Sequence, residues 1–461
     1  MKRLGLLLML GLSGPGSAHG TLEPLHTGFL QARGVDALVG NPANLGLPGN
    51  PFLSLSLLDF RAGVWNNVLS VKLYERYNGK YLTEEDKEEL LDHFRGGWRW
   101  AGRAFLLPPL FSFTAGRFGL GAFMDARTSV TLSKAPLELA LKGLVPGDRL
   151  DLTDIKAQAY FISGVTAAYA HVWDVSSEFL RHWGFSEVST GVALKYLTGW
   201  AYAQAEVPEG ELRMGEYYAW GSGRAVLRTA GVDTAEFVPG PSGRGFALDV
   251  GVAAQGSRLS VGLALKNLGG RITWRERAKR WEFAFKLDSL NVAGVDTVEK
   301  PFTSTDTSYA VSEFSTAYPD YLVLGASYRF DFFEGKPAPL EVVPDSAISE
   351  VDSLLPPKPK PPNMLFLPVE LSLTYRLGFE EGFGIHKGSE LILGVEAGAL
   401  WGHLPLSLYL RLGGEEGVVW VPGLGLRLGP LRFSVAYASR GHPLPLMGRG
   451  VELAMNLALS F

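Results

Sequence analysis

Large apolar residues alternate with small or polar ones along most of this chain. The last segment, VELAMNLALSF, is the cleanest case. Val451, Leu453, Met455, Leu457, Leu459 and Phe461 fall on one side, and Glu452, Ala454, Asn456, Ala458 and Ser460 on the other. Successive side chains of a β-strand point to opposite faces, so such a segment is a strand with one apolar and one polar face. VELSLTYRL from Val369, LRFSVAYAS from Leu431, RLSVGLALK from Arg258 and WEFAFKLD from Trp281 repeat the pattern. Alternation predicts strands over 52–59, 110–116, 118–132, 155–171, 187–205, 214–229, 245–254, 258–266, 281–290, 321–331, 367–378, 390–399, 404–412, 418–428, 431–438 and 451–461.

Two architectures bury such strands: a soluble sandwich with apolar faces inward, or a membrane barrel with apolar faces outward. Three features favour the barrel. The apolar faces are rich in Leu and aromatics over roughly 9–11 residues, the length a tilted strand needs to cross a bilayer. The polar faces mix Glu, Asp, Lys and Arg with Gly and Ala, which suits a hydrated or filled lumen. Connections also alternate between short and long near the end of the chain, with a tight turn at Gly429-Pro430 and a long loop over 439–450. The expected fold is an all-β transmembrane antiparallel barrel of about 14 strands, within a range of roughly 12–16, even in number when both termini are periplasmic. Counting back from the last strand puts the Pro-rich insertion 334–364 on the periplasmic side. Its prolines forbid a central strand, and it reads as an extended linker or docking arm.

The first twenty residues, MKRLGLLLMLGLSGPGSAHG, have a basic start, an apolar run and a small-residue end, the layout of a secretory signal peptide. No later apolar run reaches the ~18–20 residues of a membrane helix. Basic and acidic residues number 43 and 47, for a net charge of −4. No basic block stands out, which argues against nucleic acid as a partner. The chain has no cysteine, which excludes disulfides, thiol nucleophiles and thiolate metal sites.

Two segments break the alternation near the start. Residues 21–51 are compact and rich in Gly and Pro, with turn chemistry around Asn41, Pro42, Ala43, Asn44, Leu45 and Gly46. Thr83 followed by Glu84, Glu85 and Asp86 predicts one short acidic helix with a hydroxyl cap, a narrow apolar edge of Leu90, Leu91 and Phe94, and an end at Gly96-Gly97.

The G-x-x-A-x-x-x-NPA stretch through Asn41, Pro42 and Ala43, followed by alternating strands, resembles the FadL-like outer-membrane barrels, nearest the PorV-like and uncharacterised branches. The strand end at Asn267, Leu268 and Gly269 resembles a motif of PorV-like proteins. The stretch 66–94 looks like the opening of an outer-membrane family of unknown function. The resemblance implies that residues 21–51 plug a fourteen-stranded barrel spanning 52–461, that Leu457, Leu459 and Phe461 form the signal read by the barrel-assembly machinery, and that apolar compounds pass through the lumen.

Catalytic patterns are absent: the eight histidines form no metal motif, and no nucleophile elbow occurs. The carboxylates expected on lumen faces (Glu370, Glu390, Glu396, Asp249, Glu282, Asp288 and Asp331) are expected to pair across strands with Arg376, Arg329, Lys266, Lys286 or Arg432. Trp420, Tyr328, Phe330 and Phe332 are expected at the membrane interfaces. The sequence thus points to a non-enzymatic channel of the bacterial outer membrane for an apolar or amphipathic small molecule, with no cofactor. Its expected partners are outer-membrane lipids and the assembly machinery. The alternative is a barrel scaffold that docks secretion or surface-attachment proteins.

Overall fold

The computed structural model describes residues 28–174, 182, 184–232, 240–291, 302–331, 368–380, 387–400, 402–414, 416–444 and 447–461. The signal segment, the start of the plug region, Phe332 and the Pro-rich insertion lie outside these residues.

All twenty strands belong to one sheet. The wall begins with β1 (Leu53–Asn66) and continues through β2 (Trp98–Leu107) with its short continuation β3 (Phe113–Ala115), then β4 (Phe118–Leu132). Next come β5 (Arg149–Asp151) in line with β6 (Lys156–Asp174), and the long β7 (Phe185–Met214). Three broken strands follow: β8 (Tyr218–Ala230) with β9 (Gly243–Gly256), β10 (Leu259–Trp274) with β11 (Lys279–Asn291), and β12 (Phe302–Ala310) with β13 (Phe314–Ala317) and β14 (Tyr321–Asp331). Six unbroken strands finish it: β15 (Pro368–Gly378), β16 (Gly388–Ala399), β17 (Leu404–Gly413), β18 (Gly417–Leu428), β19 (Leu431–Arg440) and β20 (Gly450–Ser460). Each broken strand occupies one place in the wall, so the wall has fourteen places. Antiparallel pairing of β20 with β1, from Ser54–Ser460 to Trp65–Gly450, closes it.

A closed sheet has no edge to satisfy, which is what allows it to carry an apolar outside. Outward residues include the exposed Val192, Leu194, Leu248, Leu263, Leu324, Leu373, Leu393 and Leu453. Inward residues of the wall strands are buried and small or polar: Ser54, Asp59, Thr166, Ser189, Lys195, Asp249, Ser327, Ser372 and Asn456. The interior is not polar throughout, as the alternation alone suggests. One apolar cluster joins Tyr160, Ile162, Leu197, Tyr202, Ile272 and Trp274, and another joins Ile392, Tyr409, Val419, Val421 and Ala436.

The end of the barrel away from Leu53 and Ser460 is elaborated. The upper half of β7 pairs with β8, β8 with β11, and β11 with β12, so a flap rises above the wall. Two helices, α2 (Val71–Tyr77) and α3 (Glu84–His93), link β1 to β2, and α4 (Lys134–Lys142) links β4 to β5. The acidic helix is α3. Thr83 and Asp86 form a reciprocal capping box, and Phe94 rather than the glycine pair terminates it. α2 and α4 add to the one helix expected.

Three strands escape the alternation rule. β2 places large residues on both faces, and β12 is exposed at every position. β13 is only four residues long. The region read as a strand over 110–116 is mostly a turn, with Leu110 at φ 66° and only 113–115 extended.

Candidate functional site

Residues 28–51 sit inside the barrel against β6, β7, β9 and β10, and nearly all are buried. The segment carries α1 (Asp36–Val39) and a 3-10 turn over Pro42–Gly46. Asn41 caps that turn: its Oδ1 accepts from the Ala43 N–H at 3.0 Å, while its Nδ2 donates to the carbonyls of Val252 (3.2 Å) and Leu263 (3.4 Å) on the wall. Pro42 fixes the first position of the turn, where no N–H is missed. Asn44 donates to the Phe29 carbonyl at 2.9 Å, holding the segment to itself. Leu45 packs with Ala37, Leu38, Ala168, Ala170 and Ala193, and Gly46 lies against Ser189. The approach is so close that a Cβ on Gly191 would collide with the Ala43 backbone, and one on Gly251 with the Asn41 side chain.

Asn267 belongs to a buried polar knot beside this segment. It takes the left-handed conformation (φ 60°), which asparagine tolerates, where β10 bulges. Its N–H donates to Asp249 at 2.8 Å and its Nδ2 to the Pro319 carbonyl at 3.0 Å. Asp249 also holds Lys195 at 2.8 Å and Lys266 at 2.6 Å. Lys266 donates in turn to the carbonyls of Val39, at 2.8 Å, and Gly40, the free C-terminal groups of α1. The knot therefore ties wall strands β7, β9 and β10 to α1. Leu268 pairs with Leu248 on the wall, and Gly269 (φ 63°) completes the bulge.

A second tie lies opposite. Asn456 Nδ2 donates to Asp36 of α1 at 3.1 Å and to Asp59 of β1 at 3.3 Å. Asp36 and Arg33, which donates to Gln255 at 2.8 Å, carry charge in a segment otherwise read as turn and apolar residues. Their isolation in that sequence was the available signal that each needs a partner.

Above Leu38 and Val39 lies a cavity that is open on part of its surface. Phe105, Leu107, Phe123 and Tyr318 line it together with Arg61, Arg103, Asp125, Arg127, Lys195 and Asn267, so that β2 and β4 each contribute both apolar and charged residues. Its cations are matched within the wall: Arg127 with Asp125 at 3.2 Å, Lys195 with Asp249, and Arg103 with Glu452. Phe105 and Phe123 stack with centroids 6.2 Å apart, and Arg61 lies 4.4 Å from the Phe105 ring centre. At Arg127 the cavity meets a larger polar vestibule, lined by Trp65, Arg99, Trp100, Lys156, Gln204 and Glu390 among others.

The wall of this cavity has one thin place. β4 pairs with β3 over 118–120 and with β2 from 124 onward, leaving 121–123 without a backbone partner on that side. The Ser112 hydroxyl takes both groups of Ala122, accepting from its N–H at 3.2 Å and donating to its carbonyl at 3.3 Å.

The other side of the barrel is filled by an ion-pair ladder. Arg376 meets Glu390 (3.3 Å), Glu390 meets Arg411 (2.7 Å), and Arg411 meets Glu416 (3.6 Å). Glu416 then meets Arg440 (2.9 Å), Arg440 meets Glu452 (3.3 Å), and Glu452 meets Arg103. Glu416 sits in the β17–β18 turn. Burial alone would raise its pKa, yet Arg440 and Arg411 hold it well below the ordinary carboxylate range. Of the other expected carboxylates, Glu370 accepts from Gln31 and Glu396 from Tyr409, while Glu282 pairs with Arg224 and Asp288 with Lys286. His171 meets Trp173 edge to face, and no group of metal-ligating residues occurs among the described residues.

Sequence comparison places residues 50–392 in a family of unknown function, DUF5723. The chain belongs to that family. The match covers β1 through the start of β16, including the stretch 66–94. No curated protein matches in sequence. Solved structures similar to this DUF5723 chain include the toluene transporter TbuX of Ralstonia pickettii, with TM-score 0.43, 12% identity, and 92% of this chain and 93% of that one covered. The toluene transporter TodX of P. putida gives TM-score 0.44 at 8% identity, over 92% and 94% of the two chains. A FadL homologue of Pseudomonas aeruginosa gives 0.41 at 12%, over 94% and 96%.

Leu457 and Leu459 face outward, and the Phe461 N–H donates to the Leu53 carbonyl at 2.8 Å where the barrel closes.

Proposed function

We propose that this protein is an outer-membrane channel for passive passage of an apolar or amphipathic small compound. The observation that supports it is the chamber above Leu38: a partly aromatic space, open toward the vestibule, whose charges are paired with partners in the wall. Such a site gains little from an ionic solute and more from apolar surface removed from water. In this reading residues 28–51 are the plug, because they fill the lumen directly beneath the chamber. A compound enters by the polar vestibule, rests against Phe105 and Phe123, and leaves at the thin place beside Ser112. The outward Leu and aromatic belt supports the membrane location, and Leu457, Leu459 and Phe461 serve as the assembly signal.

The test is binding of an environment-sensitive apolar dye, N-phenylnaphthylamine, to the protein in lipid vesicles. Wild type is expected to enhance its fluorescence saturably. Thr166→Trp, which fills the chamber from β6, is expected to weaken binding at least tenfold while the band on gels stays heat-modifiable. Equal binding by both proteins would remove the chamber from the mechanism.

A further inference from the structure

Two arginines stand where the apolar belt ends on one arc of the outer wall. Phe246 of β9 is 60% exposed and packs against Tyr196 of β7, ring centres 5.2 Å apart. Toward the termini the same surface continues with Leu248, Leu194, Val192 and Val252. Away from them it turns polar at once. Arg244 is the next outward residue of β9, and Arg271 pairs directly with Phe246 from β10. Both are exposed, while Gly245 and Ile272 beside them face inward.

Arg244 and Arg271 are diagonal neighbours on one face, about 7–8 Å apart by sheet geometry. Among the described residues neither forms an ion pair, whereas Arg275, in the turn above, is taken by Glu313 at 3.0 Å. Like charges side by side are destabilising, and an anion between them reverses that sign. Guanidinium groups suit phosphate oxygens in particular, through paired N–H donors. The location narrows the source. Tyr196 and Phe246 are interfacial aromatics, with Phe161 and Trp200 stacked one step higher on β6 and β7, and a cation beside such aromatics lies at headgroup depth. On β15 to β20 the outward residues near the same rim include Leu377, Leu412, Val418, Tyr437 and Val451, so these positions carry no matching cation pair.

We infer that Arg244 and Arg271 form a site on the outer wall for the phosphate of a phosphorylated membrane glycolipid, whose acyl chains lie along Phe246 and Leu248. The inference rests on the outer-membrane reading above, and the experiment separates the two. The full-length protein in lipid nanodiscs is offered an acylated diglucosamine bisphosphate, the same lipid stripped of phosphate, or inorganic phosphate, and bound species are read by native mass spectrometry. Wild type is expected to retain the bisphosphate lipid at least tenfold better than the stripped one. The Arg244→Gln/Arg271→Gln variant is expected to lose that preference while keeping a heat-modifiable band and dye binding. Equal retention of the two lipids, an unaffected double variant, or displacement by inorganic phosphate at the lipid's own concentration would each overturn the site with the channel intact. Absence of a heat-modifiable barrel in any bilayer would overturn both.

Discussion

The two sides of this barrel are built by different rules. From β15 to β20 the strands are short and unbroken, and the interior is filled by apolar side chains and the ladder from Arg376 to Arg103. From β1 to β14 five wall places are interrupted, the interior holds a cavity and residues 28–51, and the flap rises above. The first side pairs most of its buried charges within the wall itself, with Glu370 and Asn456 reaching the inserted segment. The second ties itself to that segment through charge, as when Lys266 reaches α1 and Gln255 accepts from Arg33. Among the described residues the partly aromatic chamber lies on the second side, while the polar vestibule above it borders both.

The comparison breaks most visibly if the ladder is cut. Glu452 is fully buried between Arg103 and Arg440, so Glu452→Ala strips Arg103 of its carboxylate and leaves Arg440 with Glu416 alone. Removing one partner of a buried pair costs about 3–5 kcal/mol. The expected outcome is a clear fall in the denaturant midpoint of the heat-modifiable band, with dye binding preserved below that midpoint. Loss of dye binding in the folded band would show that the two sides are not separable.

A cut on the other side is expected to act locally. Asp249→Asn keeps the shape but removes the charge that holds Lys195 and Lys266. A loss of about 3 kcal/mol is expected, felt first by α1, whose carbonyls Lys266 reaches. Trypsin should then cleave after Arg33 faster than in wild type, while the ladder side keeps its protection. Unchanged cleavage would mean that the Asn456–Asp36 tie suffices to hold the segment.

Much of the wall was legible because lipid on one side and lumen on the other impose opposite polarities on alternate residues. Where that condition fails, the reading fails. FTSTDTSYA of β12 has water on both faces, so no alternation marks it. WRWAGRAFLL of β2 serves the chamber and vestibule with Arg103, Phe105 and Trp100, and its inward side is as bulky as its outward side. Asn41 and Asn267 could be singled out because turn chemistry and a strand end are local. Their partners were not legible: Asn267 reads Asp249 and Lys195, eighteen and seventy-two positions away, and only barrel closure brings them together. Ser112 carries no sequence signal, since its role depends on a missing backbone pair in β4.

That single hydroxyl sharpens the comparison at smaller scale. Ser112→Ala leaves the N–H and carbonyl of Ala122 without a partner in a wall that otherwise pairs its backbone strand to strand. The expected cost is about 2 kcal/mol, which corresponds to roughly thirtyfold faster exchange of the Ala122 amide. Matching amides in β16, such as that of Leu393, should not change. Equal acceleration in both places would mean a globally weakened barrel rather than a local thin spot.

The smallest effect lies outside the wall altogether. The carboxyl of Asp86 accepts hydrogen bonds from the Thr83 N–H at 3.0 Å and the Thr83 hydroxyl at 2.9 Å, which lower its pKa. A depressed carboxylate stabilises the folded helix fully above its unfolded pKa of about 3.9, and that contribution is lost as pH falls through the lower folded value. Helix α3 is therefore expected to fray below about pH 4, seen as faster amide exchange over 84–93 after correction for the intrinsic rate. Asp86→Asn should lose this pH dependence and exchange faster at neutral pH as well. The ladder, whose Glu416 is held far more strongly by two buried arginines, should keep its protection through the same range. If strand and helix lose protection together on acidification, the exposed cap is not an independent unit and the barrel's response to acid begins in the ladder.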